Sequence, residues 1–358
     1  MSTTHRNALA LVAAWTVALA LAACDSQGGH FSPSTDTPMV AEQYLGLPVE
    51  PLDDVEDLDL PFPGLLAVGP SADRVWLGAP EGLAWLDVND ADAHVVDRLP
   101  GAYLAFVGDD TMYRAGFQAQ SIAKYDLSGQ PREVSRGAAR WPLGVAATRD
   151  VLWLTNHRTS TLLRLDPDDL RVTQRIQLGH AGVDDVIGAG ELAWVGDTLW
   201  MISIGDPTVY AVDGHTGNVL REVSLGAEDA AGLKATSAGL WSWVGNRTDD
   251  PGYDSLVLVD PDRGTMITRV PLREPADLVG DQVAMVSDPV EVDGEIWVAF
   301  DQYVVHLDAH HDWRPDRVLG LPDGTAVIST VVAGDYLWYE SPLPAPHVSR
   351  VPLDDLAP

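Results

Sequence analysis

Six aspartates constrain the fold of this chain more than any other feature. They stand at positions 87, 126, 166, 213, 260 and 308, separated by 39, 40, 47, 47 and 48 residues. Each closes a short run of β-branched, apolar or aromatic residues, as in Val209-Tyr-Ala-Val-Asp213 and Leu256-Val-Leu-Val-Asp260. Several then open a recognisable turn, such as Asp-Gly-His-Thr-Gly or Asp-Pro-Asp-Arg-Gly. A second run precedes each aspartate and carries an aromatic near its start: Trp76, Tyr113, Trp153, Trp200, Trp241 and Trp297. Trp338 marks one more copy after the last aspartate. Periods of about 40–50 residues with four short strands per unit predict a β-propeller. Helical repeats of similar length do not fit, because the runs alternate and are broken every few residues by Gly, Pro and Asp.

The expected architecture is all-β, a propeller of seven four-stranded blades. The weak second unit, Met112-Tyr113 to Asp126, leaves six or eight open. The final unit shows only three strands before Pro358, and the run Glu56 to Pro61 is expected to supply the fourth and close the ring. Closure would remove the exposed sheet edges that invite aggregation. The aspartate carboxylate is expected to accept backbone N–H groups of the turn it opens, with glycine supplying positive φ. The tryptophans are expected to fill the space between neighbouring sheets.

Residues 143–179 contain Leu-Trp-Leu-Thr-Asn, then Thr-Leu-Leu-Arg-Leu-Asp-Pro, then Val-Thr-Gln-Arg-Ile-Gln-Leu-Gly. This unit resembles the YVTN-type repeat and is similar to the repeats of streptogramin lyase-like and NHL-like propellers. Residues 187–308 resemble them more loosely. The streptogramin lyase likeness would imply a loop histidine and a divalent metal that open a cyclic depsipeptide. The chain departs from that pattern: residues 148–156 read Thr-Arg-Asp-Val-Leu-Trp-Leu-Thr-Asn in place of the lyases' Gly-Pro-Asp-Gly-x-Leu-Trp-Phe-Thr-Glu block. No active-site residue therefore carries over.

The N-terminus supplies an address. Arg6 precedes an apolar stretch from Ala8 to Ala20 that is too short for a membrane span, and Leu21-Ala22-Ala23-Cys24 follows. This order is that of an export signal, and the last four residues resemble the lipobox of bacterial lipoproteins. The resemblance implies cleavage before Cys24, acylation (thioether lipid, palmitate) of that cysteine, and a membrane-anchored lipoprotein of the cell envelope facing the periplasm or exterior. Secretory cleavage at an Ala-x-Ala-like site, with Cys24 incidental, is the alternative. The expected organisation is a signal peptide over 1–23, the lipidated cysteine and a Ser/Gly/Thr/Pro/Asp-rich tether over 24–43, and the propeller over 44–358. Cys24 is the only cysteine, so no internal disulfide forms.

The chain holds 53 Asp and Glu against 22 Lys and Arg, a net charge of −31. Such a surface repels nucleic acid and anionic headgroups. It allows attraction of cations or basic partners, and it also serves solubility.

Three segments are longer than turns require: 179–188, 244–254 and 273–288. Specialised loops on a fixed scaffold are where propeller function is expected. His180 with Asp184 or Asp185 is the candidate for an oriented general base. Asp249, Asp250 and Asp254 are candidate oxygen ligands for Ca²⁺, although no segment has the spacing of a preformed calcium loop. Solvated acidic loops are the simpler reading of all three. His157, His215, His306 and the His310-His311 pair show no zinc spacing and are expected at the surface or in packing roles. The chain lacks a Gly-x-Ser-x-Gly elbow, a P-loop and a dinucleotide fingerprint. Two functions follow as expectations: a non-enzymatic, lipid-anchored module that binds an envelope protein or ligand, or an envelope lyase or hydrolase built on His180.

Overall fold

The computed structural model describes residues 45–356 except 53, 59, 61, 63, 91, 100, 118, 179–187, 205–206, 228, 246–253, 273–285, 323–324, 326 and 342–346. The chain forms seven antiparallel sheets arranged as the blades of a propeller. The innermost strands, in blade order, are Leu65–Val68, Tyr103–Val107, Val145–Ala147, Gly188–Val195, Asp229–Thr236, Val290–Val292 and Ser329–Ala333. They surround the central axis. Among the described residues no helix is long and apolar enough to cross a membrane.

Burial explains the sequence pattern of each blade. The second and third strands lie between two neighbouring sheets, so both faces are covered and the run is continuously apolar. Leu152–Asn156 is buried at every position. The outermost strand has one face free, and its sequence alternates: in Val172–Gln177 half-buried and exposed residues take turns. The large exposed apolar residues, Val95, Val134, Val219, Leu220, Met266 and Ile267, all sit on such outer strands. Register shifts interrupt the pairing of third and fourth strands in blades 1 to 6. These bulges twist the edge away from the flat geometry that would recruit another chain.

The seven aromatic markers occupy the seven seams. Trp76 packs on Met112 of blade 2, and Tyr113 on Leu152 of blade 3. Trp153 meets Leu199 of blade 4, and Trp200 meets Leu240 of blade 5. Trp241, Trp297 and Trp338 repeat this toward blades 6, 7 and 1. Trp153 is fully buried, and its indole N–H donates to the Gly214 carbonyl of the next blade at 2.9 Å. Each marker thus helps fix the angle between two sheets, and Trp153, Trp241 and Trp338 also satisfy their indole N–H in doing so.

The N-terminal segment completes the ring. Glu56–Leu58 pairs antiparallel with His347–Pro352 and forms the outer strand of blade 7. Arg350 donates to Glu56 at 2.7 Å across this joint. One feature differs from the expected seven four-stranded sheets. Val49–Pro51 adds to blade 6 in parallel with Val318–Gly320, so that this sheet has five strands.

The connections fall on two opposite faces. First-to-second and third-to-fourth strand connections share one end of every antiparallel sheet, the turn face. Second-to-third strand and blade-to-blade connections share the other, the loop face. Turns on the first are two to six residues long, whereas loops on the second reach 18 residues between Pro271 and Val290. Asp293-Gly294 illustrates the turn face: both residues have positive φ, 52° and 88°, as a two-residue hairpin turn that follows the sheet twist requires.

Candidate functional site at the loop face and channel mouth

The aspartates of the repeat behave as structural residues. Asp213 Oδ1 accepts from the backbone N–H groups of His215 at 3.1 Å and Thr216 at 2.7 Å. Asp260 does the same for Asp262 and Arg263, both at 2.9 Å. Asp87, Asp126, Asp166 and Asp308 repeat the arrangement. Donation to the ionised form holds Asp87, Asp213 and Asp308 below the ordinary carboxylate range, and a serine hydroxyl leads the same effect at Asp126.

Of the residues singled out for chemistry, Cys24, His180, Asp184, Asp185, Asp249 and Asp250 lie outside the described residues. The strands that flank the three long segments are described. They belong to blades 3 and 4, blade 5, and blades 5 and 6, and all of them open on the loop face. Asp254 is buried, with its carboxylate accepting from the Ser255 hydroxyl and from Arg269 at 3.0 Å. His157 is fully buried at the seam of blades 3 and 4, where its Nδ1 lies 3.3 Å from the Ala189 carbonyl. A Cβ at Gly188 would fall 2.0 Å from the His157 carbonyl oxygen, so only glycine fits there. His306 is nearly buried, with Nδ1 2.6 Å from Asp316 and Nε2 3.0 Å from Glu295. His215, His310 and His311 are exposed turn residues. Among the described residues, no three His, Cys, Asp or Glu side chains converge as a metal site.

A different set converges on the axis, with Tyr103, Glu191 and Asp288 displaced toward the loop face from the seam aromatics of their blades and Lys234 level with Trp241. Glu191 and Lys234 project from the inner strands of blades 4 and 5, Asp288 from the entry to blade 6, and Tyr103 from blade 2. Two matching bulges place the first pair. Pairing skips between Ala189 and Leu192 in one strand and between Ala231 and Lys234 in the other, each across an Ala-Gly step. Gly232 adopts φ +67°, and a Cβ there would lie 3.1 Å from Asp288 Oδ1. Glu191 Oε2 accepts from the Leu233 backbone N–H at 3.1 Å, which ties the two bulges together.

Surrounding protein controls the charge of this group. Desolvation pushes the Glu191 carboxyl up to about 8; the Asp288 charge adds to the rise, while the Leu233 amide and Lys234 oppose it. Desolvation raises Asp288 as well, against Lys234. Tyr103 is held protonated by desolvation and by the charges of Glu191 and Asp288. All four residues remain partly exposed. A carboxylate pair of this kind holds a proton near neutrality and can exchange it for an incoming cationic group. Sequence reasoning included Asp288 only as the end of a long loop and missed the other three. The available signal was a glycine inside an inner strand, twice, after alanine.

Further charge lies buried in the loop half of the ring. Arg114 is 2% exposed; its guanidinium reaches Asp97 at 2.8 Å and the carbonyls of Gly101 and Ala79. Glu340, between blades 7 and 1, is fully buried. Neither of its oxygens has a donor in good hydrogen-bond geometry, and burial pushes its carboxyl well above the usual range, opposed only by the Gly64 amide.

No protein-family model and no curated protein matches the chain. Solved propeller structures do. A streptogramin B lyase superposes with a TM-score of 0.64 at 13% identity, covering 83% of this chain and 96% of the lyase. A virginiamycin B lyase from Staphylococcus aureus gives 0.62 at 12% identity, covering 83% and 98%. U3-55K gives 0.65 at 14% identity, covering 84% and 98%. At such identities the likeness is one of fold, and propellers host unrelated functions on one scaffold.

Proposed function

We propose that this chain is a lipid-anchored binding module of the cell envelope, tethered through acylated Cys24 and presenting its loop face to a cationic ligand or a basic protein surface. One observation carries the reading: the strands flanking the three long acidic segments open on the same face, over contiguous blades, around a channel mouth that holds Glu191 and Asp288. Regular turns on the opposite face leave little room for specialised recognition. The net charge of −31 selects against nucleic acid and in favour of positively charged partners. Acyl chains would supply the membrane attachment, at roughly 0.8 kcal/mol per buried methylene.

In-cell crosslinking of the tagged protein tests this, with a variant carrying Asp184→Lys, Asp185→Lys, Asp249→Lys and Asp250→Lys as the control. Partners captured by the wild type and lost in the folded variant are the expected result. Equal capture by both would overturn it. So would cleavage of a cyclic depsipeptide by the purified protein that disappears in His180→Ala, which would make the chain an envelope lyase.

A further inference from the structure

We infer that the anchored protein stands with its turn face toward the membrane and its loop face, with the channel mouth, directed away from it. The inference rests on lipidation at Cys24 and adds the direction in which the body is held.

The argument begins with strand polarity. In blades 1 to 6 the fourth strand runs from the turn face to the loop face, because it follows a third-to-fourth strand turn. Val49–Pro51 pairs in parallel with Val318–Gly320 of blade 6, so it runs the same way. The described residues before Val49 therefore approach this strand from the turn side. Leu45, Leu47 and Val49 pack against the apolar cluster of the blade 5–6 seam, as do Ala238, in the hairpin turn of blade 5, and Trp313, in the last turn of blade 6. Trp313 meets Trp241 edge to face at 5.4 Å. Arg317 clamps the added strand through Glu50, at 3.0 and 2.8 Å.

Length then decides the orientation. Cys24 and Leu45 are 21 residues apart in sequence, and a flexible chain of that length would have an r.m.s. span of about 25 Å. A six-residue strand is about 20 Å long. Turning the loop face to the bilayer would make the tether climb the full height of blade 6 before reaching lipid, which uses most of that span. With the turn face inward it needs none of that climb. Charge then opposes flat contact: Asp168, Asp169 and Asp262 are exposed on the turn face and are repelled by anionic headgroups. The body stands off the surface, and a partner meets the loop face from the aqueous compartment rather than from within the same leaflet.

Fluorescence transfer on vesicles tests this with the lipidated full chain. Asp262→Cys places a donor dye on the turn face and Arg140→Cys places one on the loop face. The vesicles are phosphatidylethanolamine and phosphatidylglycerol with an acceptor-labelled lipid headgroup. More efficient transfer from position 262 than from 140 is expected, and Val49→Asp, which releases the added strand, should bring the two together. Equal or reversed efficiencies in the otherwise unmodified chain would overturn the orientation. A chain that fails to float with vesicles, or whose Cys24 thiol reacts with the dye, would overturn the anchor itself. If Asp262→Cys does not fold, Asp168→Cys gives the same reading.

Discussion

The two faces of the ring handle charge in opposite ways. On the turn face, six aspartates accept backbone hydrogen bonds, and four of them are held below the ordinary carboxylate range. Away from the turns, fully buried Glu340 and the partly buried Glu191 and Asp288 are raised above it. The first set repeats from blade to blade, whereas each member of the second occurs once. An exposed, repeated carboxylate that organises its own turn costs little and stabilises the scaffold. A single buried carboxylate disfavours its own ionisation, and repetition gives it no structural role. The contrast locates specialisation in the loop half.

The seams between blades provide the reference against which the faces are measured. Trp200→Ala is expected to cost about 3–5 kcal/mol in denaturant unfolding, the range for removing a large buried aromatic. Next comes Arg114→Ala, which removes the guanidinium from Asp97 and from the carbonyls of Ala79, Leu99 and Gly101 in the loop half; breaking such a buried pair is expected to cost about 3 kcal/mol. If it costs less than a kilocalorie per mole, the loop half is more solvated than its burial indicates.

The pH dependence of unfolding separates the faces by sign. Folded-state values raised at Glu340 and Glu191 make the fold bind protons that the unfolded chain has released. Their contribution is complete below the unfolded carboxylate range and is lost as pH rises through the folded values. Glu191→Gln should therefore flatten the decline in melting temperature between pH 5 and about 8, and Glu340→Gln should flatten the decline above the ordinary carboxylate range. An unchanged slope would show that these groups ionise without penalty. The smallest effect is expected for Asp213→Ala. Its lowered value contributes stability above the unfolded range, which is lost as pH falls through the folded value. The variant should melt slightly lower at neutral pH and show a shallower acid limb than the wild type.

Legibility in the sequence followed the range of the interactions. The spacing of aspartates and tryptophans disclosed the blades because strand, turn and seam repeat within one period of the chain. Trp153 can be assigned to a seam from its place in Leu-Trp-Leu-Thr-Asn alone. Glu191 cannot be assigned to the channel mouth in that way. It sits in the ordinary-looking run Gly188–Val195, and the groups that shift it, Asp288 and Lys234, come from other blades. The sequence left His157 between a surface and a packing role, and Gly188 across the seam makes its burial possible.

By itself the sequence determined the repeat, the kind of sheet, the acidic surface and the expectation of an anchored N-terminus, since each is written in local pattern and composition. Only the tertiary structure decided which side chains meet on the axis, that the strands flanking three long segments open on one face, and that the added strand joins the ring from the other. The physical reason is the same in each case. Val49–Pro51 is three residues long and has no hydrophobic periodicity to declare it a strand. Its direction exists only in its pairing with Val318–Gly320, almost a whole chain away.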